Sequence, residues 1–119
     1  MVWGDPIEGE SFRSTFAQSR STATILNNVY GHYYFVLLNL LTGKLIIGNS
    51  YFSILPIYYF ETDNSVFFSD NALNLADNCN LKTLSRRFAL ETVLFNYPLF
   101  NHSAVEGVFL LPSNSYCTV

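Results

Sequence analysis

The alternation of apolar and polar positions changes character near residue 30. Before it, Gly4, Pro6 and Gly9 punctuate a loop, and Phe12 and Phe16 stand one helical turn apart in a polar stretch. Ile25, Leu26 and Val29 keep helical spacing behind Ser21 or Thr22 as N-cap. With Gly31 placed as a C′ terminator, the spacing predicts a short helix over about 22–30. From His32 to Leu38 the chain is aromatic and β-rich, and Asn39–Lys44 supplies a turn into Leu45-Ile46-Ile47. These strands are apolar on both faces, which suits the middle of a layered structure. A second hairpin follows: Ile57–Phe60, a polar turn over Glu61–Ser65, then Val66–Ser69. Ser69-Asp70 can cap a helix through Ala72, Leu73, Leu75 and Ala76. Thr83 can cap a longer one in which Leu84 and Phe88 pair and Leu90, Val93, Leu94 and Tyr97 extend an apolar face, with Pro98 at its end. Val108–Leu111, a turn at Pro112–Ser115 and a strand Tyr116–Val119 close the chain. The order predicts an α+β fold built on antiparallel sheet.

Composition narrows the class. Of 119 residues 50% are hydrophobic and only 13% charged, so the chain has enough apolar surface to offset the entropy of ordering. Six Lys+Arg against nine Asp+Glu leave a net charge of −3, which excludes an electrostatic nucleic-acid binder. Two uncharged stretches, 21–43 and 45–60, are broken by Asn27, Asn28, His32, Asn39, Asn49, Ser50 and Pro56. Neither therefore offers the about 18 consecutive apolar residues of a membrane span. No basic segment followed by an apolar run opens the chain, and the expected compartment is the cytoplasm. Cys79 and Cys117, 38 residues apart, fit no metal-ligand spacing and read as free thiols in buried or half-buried positions.

Single chemistry-bearing residues read as structural. His32 opens a strand and His102 sits in a loop. Arg86-Arg87 reads as a solvated helix face, and Asn101-His102-Ser103 matches a glycosylation sequon by chance. The Phe and Tyr residues stand at strand spacing and read as core before they read as a stacking platform. No Gly-rich phosphate loop occurs.

Four segments together resemble the later part of the glutamine amidotransferase domain of asparagine synthetases. Tyr30–Asn39 resembles that family's "NGMFAFALWD" strand, and Asn49–Tyr59 keeps the register of "RDRFGIKPLYY" without a gap. Val66–Leu73 resembles "LLFASELKAL", and Gly107–Tyr116 resembles "GIRKLPPGHYL", preceded by a helix running into Asn96-Tyr97-Pro98. The resemblance covers about residues 29–119 and leaves residues 1–28 with the least pattern. It implies one amidotransferase-like domain over 1–119 with an N-terminal-nucleophile (Ntn) hydrolase fold: an αββα sandwich of two antiparallel sheets, here incomplete.

The resemblance also implies chemistry that these residues do not repeat. The family's nucleophile is an N-terminal Cys whose own α-amine serves as base; here Met1 and Val2 stand first. Either the chain starts part-way into such a domain or glutaminase activity has been lost. No catalytic residue is therefore assigned. The family's "NGE" substrate loop has one local counterpart, Trp3-Gly4-Asp5. Gly4 would bring backbone close to a ligand and Asp5 would pair with an ammonium, while the plainer reading is a Gly-Asp-Pro turn. The acidic contact of the family's "DTEVI" segment falls on Thr22–Leu26, where no carboxylate stands. In the second segment Asn49, Ser50, Tyr51 and Leu55 replace charged residues and Ser53 replaces a glycine.

The expected role is a scaffold for a C-terminal synthetase domain, to which ATP and Mg²⁺ would belong; the chain itself calls for no cofactor or metal. Self-association through uncovered apolar surface is a second expected partnership. Two other functions fit the residues. One is a non-catalytic, aromatic-rich module binding a peptide or sugar. The other is part of a synthetase relative that closes an amide in peptide or polysaccharide tailoring. An SGG-x-D-S-type ATP loop downstream and a Cys after an upstream initiator Met would separate the family reading from the binding module.

Overall fold

A computed structural model describes residues 2–7, 29–51 and 54–119. The predicted helix over 22–30, the Phe12/Phe16 pair and the Thr22–Leu26 segment lie outside them, apart from Val29 and Tyr30. Among the described residues, seven strands and two helices form two small antiparallel sheets in an α+β mixture. The chain divides into two compact units, Met1–Leu55 with Pro112–Val119, and Pro56–Leu111. No described helix is long and apolar enough to cross a membrane.

The first unit holds a four-stranded sheet in the order β1 (Val2–Ile7), β2 (Tyr30–Leu38), β3 (Leu45–Asn49), β7 (Tyr116–Thr118). The turn between β2 and β3 follows from Asn39. Its side-chain Oδ1 accepts hydrogen bonds from the backbone N–H of Leu41 (3.0 Å) and Thr42 (3.2 Å), and Gly43 takes the positive φ that closes the loop. Register then fixes the faces. Val2, Phe35, Gly48 and Tyr116 form one row across the sheet, whereas Val36, Ile47 and Cys117 form the row beside it on the opposite face. Tyr33 and Phe35 are fully buried with Val29 on one face, and Ile47 is buried on the other. Burial on that second face is partial: Ile47 is buried, whereas Val36 and Cys117 beside it are half-buried.

Two expectations near the N-terminus are corrected. Gly4 and Pro6 are strand residues in β1, not loop residues, and Gly4-Asp5-Pro6 is no turn. Pro6 is tolerated because β1 stands at the edge of the four-strand order. Gly31 lies inside β2 opposite Pro6, with φ 106°, and Tyr30 is already extended, so neither is a helix residue or cap.

The second unit holds the hairpin β4 (Tyr58–Thr62) and β5 (Ser65–Ser69) with β6 (Phe109–Leu110) on the other side of β4, then α1 (Ala72–Asn78) and α2 (Arg86–Phe95) between them in sequence. Thr62 Oγ1 accepts from the Ser65 N–H at 3.1 Å and tightens the hairpin to two turn residues. Both caps fall later than the sequence predicts. Asn71 Oδ1 accepts from Leu73 N (2.8 Å) at α1, in place of Ser69-Asp70, and Ser85 Oγ accepts from Phe88 N (3.3 Å) at α2, in place of Thr83. Leu75, Ala76, Val105 and Val108 form the core, with Tyr58, Phe60, Ala72, Cys79 and Leu81 packed against it.

Candidate functional site

Gly4 lies opposite Tyr33 with φ 111°, and a Cβ there would come within 2.8 Å of Tyr33 Cα and closer still to the His32 carbonyl oxygen. Strand pairing therefore accounts for a glycine at this position. Asp5 stands in register with His32.

The buried polar groups of the first unit lie at the end of β3, where sequence reasoning noted only lost charges. Asn49 and Ser50 are almost fully buried. Asn49 Oδ1 accepts from Ser115 N (3.2 Å), and Ser50 Oγ accepts from Tyr33 N (3.3 Å). Ser50 N donates to the Tyr33 carbonyl (3.0 Å), while Asn114 N donates to the Ser50 carbonyl (3.0 Å). Two short neutral side chains thus join β2, β3 and the turn before β7 at places no charge could occupy without a partner. Beside them the Tyr33 hydroxyl donates to the Val29 carbonyl at 3.0 Å, and burial pushes its pKa up to about 12. This constellation holds strands; it presents no activated nucleophile.

No family model, curated protein or solved structure matches this chain.

The second unit carries a buried carboxylate that the sequence reading passed over. Glu91 accepts from Arg87 Nε (2.8 Å) and from the Leu99 backbone N–H (3.0 Å). The Arg87 hydrogen bond is the largest influence on its acidity. With the Leu99 N–H and the charges of Arg87 and His102, it holds the carboxyl below the usual range against the opposing effect of burial. Arg87 also lies over the Phe100 ring, 4.8 Å from its centroid. Phe100, His102, Phe109, Tyr59 and Phe68 continue as a ladder of ring contacts between 5.6 and 6.4 Å. Arg86 and Arg87 are both exposed, as expected of a solvated face, and Arg87 in addition anchors Glu91. His102 is half-buried and bridged to Phe109. The i,i+4 spacing of Arg87 and Glu91 was the sequence signal for this clasp, and the apolar neighbours of Glu91 hid it.

Because the folded-state pKa of Glu91 is depressed, its contribution is present above the ordinary carboxylate range and fades as pH falls through the folded value. Glu91→Gln is expected to lower Tm by several degrees at pH 7. The gap between variant and parent should close toward pH 3 in thermal melts followed by circular dichroism. A gap independent of pH would mean that the ion pair contributes nothing.

The remaining candidates are dispersed. Cys79 caps the C-terminus of α1 and Cys117 lies in β7, both free and half-buried. Ser103 of the sequon is buried, its hydroxyl hydrogen-bonded to the Val105 backbone at 3.1 Å. Among the described residues no three His, Cys, Asp or Glu side chains gather in a way that could hold a metal ion. Among the described residues these groups fasten elements to one another.

Proposed function

We propose that this chain is a degenerate glutaminase-like domain, of the asparagine-synthetase type, that serves as scaffold for an ATP-dependent amide-forming synthetase domain. One observation carries the reading: the four resembling segments coincide with the framework of the two sheets. Tyr30–Asn39 is β2 with its turn residue, Asn49–Tyr59 runs from β3 to β4, Val66–Leu73 runs from β5 into α1, and Gly107–Tyr116 runs from β6 to β7. The sequence thus leaves the first sheet and returns to it by two connections that bear the resemblance. The finer assignment to an Ntn-hydrolase sandwich belongs to this proposal.

The chemistry is consistent with a scaffold. The two cysteines, Cys79 and Cys117, sit at a helix end and in a strand. The polar groups of the resembling connection, Asn49 and Ser50, are consumed in backbone hydrogen bonds. ATP and Mg²⁺ would be held by the synthetase domain.

Purified chain incubated with glutamine is expected to release no ammonia above a heat-denatured control in a coupled assay. Turnover above that control would overturn the loss of glutaminase activity. The reading frame that carries this chain is expected to encode an SGG-x-D-S-type loop downstream, and a frame without one would remove the scaffold's partner.

A further inference from the structure

We propose that the outer face of α2 pairs two copies of this chain, helix against antiparallel helix about a twofold axis. The inference rests on the second unit alone and stands apart from the functional reading above.

The helix is turned the wrong way round for an isolated unit. Leu90, Val93 and Leu94 follow the i, i+3, i+4 spacing of a helical stripe, yet each is between 60% and 83% exposed, and Tyr97, beyond the left-handed Asn96 that ends the helix, is 60% exposed as well. Its inward side carries polar groups: Glu91 is buried, and the buried Thr92 hydroxyl has no hydrogen-bond partner. Packing that left α2 free to rotate would place the stripe against the core and Glu91 in water. The hydrogen bond from the Leu99 N–H to Glu91 holds the opposite orientation. Large apolar side chains this exposed on one side of a helix offer surface for a partner to cover.

Charge selects a second copy as the occupant. A helix is partially positive at its N-terminus and negative at its C-terminus. Yet α2 begins with Arg86 and Arg87, has no acidic residue in its first turn and has no basic residue in its last. Both ends are mismatched. Arg87 is engaged by Glu91 and Phe100, which leaves Arg86 exposed without an ion-pair partner among the described residues. In an antiparallel pair, Arg86 of each copy meets the C-terminal end of the other helix, which no basic residue of its own compensates and which the exposed Tyr97 follows two residues on. The same contact is made twice, as a twofold interface requires, and the stripes between the two ends cover one another.

Sedimentation equilibrium of the full chain over a concentration series is expected to show a monomer–dimer equilibrium in the micromolar range. Val93→Glu should weaken it by about tenfold or more with circular dichroism and Tm unchanged, because position 93 is on the surface of the monomer. Leu94→Lys is the second variant should the first fold poorly. Arg86→Glu should also weaken the dimer, and adding Tyr97→Arg in the same chain should restore it, since antiparallel pairing brings positions 86 and 97 together. A monomer at every concentration, or a dimer indifferent to both Val93→Glu and Leu94→Lys, overturns the proposal. Failure of Tyr97→Arg to restore pairing overturns the antiparallel arrangement and with it the choice of a second copy. So does a monomer that uses these residues to hold a synthetase domain.

Discussion

Gly48→Ala is expected to destabilise the chain by about 3 kcal/mol, or roughly 10–15 °C in Tm, although it adds a single methyl group. Gly48 lies directly opposite Phe35 on the β2–β3 pair, and the ring of Phe35 lies over it. A Cβ at position 48 would stand 2.8 Å from Phe35 Cε1, closer still to Cζ, and 3.1 Å from the Ser115 carbonyl oxygen. The ring has nowhere to go, because Phe35 is fully buried with Tyr33 and Val29. An overpacked site of this kind is relieved by shifting backbone or by leaving a rotamer, and either costs more than the methyl gains. Urea unfolding should show a lower midpoint at unchanged slope. Phe35→Leu in the same chain should recover at least about 1 kcal/mol of the loss, the non-additivity expected of two residues in contact. Additive effects would show that the ring is not what opposes the new methyl.

Leu75→Ala is expected to cost about 3 kcal/mol, while Leu73→Ala two residues earlier should stay within about 0.5 kcal/mol. Leu75 is 3% exposed in the core of the second unit with Ala76, Val105 and Val108, whereas Leu73 is 62% exposed. Removing the Leu75 side chain forfeits its transfer free energy and leaves a cavity beneath α1 that Val105 and Val108 cannot fill without dragging the loop between them. Thermal melts of the two variants beside the parent check this. Equal effects would mean that α1 is turned about its axis relative to the orientation described.

The same pair of leucines measures how much was legible in the sequence. Ala72, Leu73, Leu75 and Ala76 announce a helix equally well, and nothing local says which leucine faces inward. The β2–β3 hairpin was legible because its cause is local: Asn39 and Gly43 dictate the turn and β-rich runs flank it. Strand β1 was not, because Gly4 and Pro6 are loop signals by themselves and become strand residues only by pairing with β2, across the intervening residues 8–29. Asn49 and Ser50 looked like simple losses of charge, yet they are the buried hydrogen-bonding groups that join β3 to the closing segment. Gly4 and Asp5 stood out as substrate contacts only through resemblance. In the fold, the need for glycine at position 4 is met by the backbone of β2.

What residue order determined is the succession of elements: two hairpins, two helices and two closing strands, each written in periods of two or 3.6 and in the polar residues that cap and turn them. What only the tertiary structure decided is which side of each element meets protein. Helix α2 is the clearest instance, since its apolar spacing foretold a buried stripe and the molecule buries Glu91 instead. Periodicity records that a helix has two faces. Choosing between them took the backbone N–H of Leu99, beyond the end of the helix, which reaches the Glu91 carboxylate only once the chain has folded.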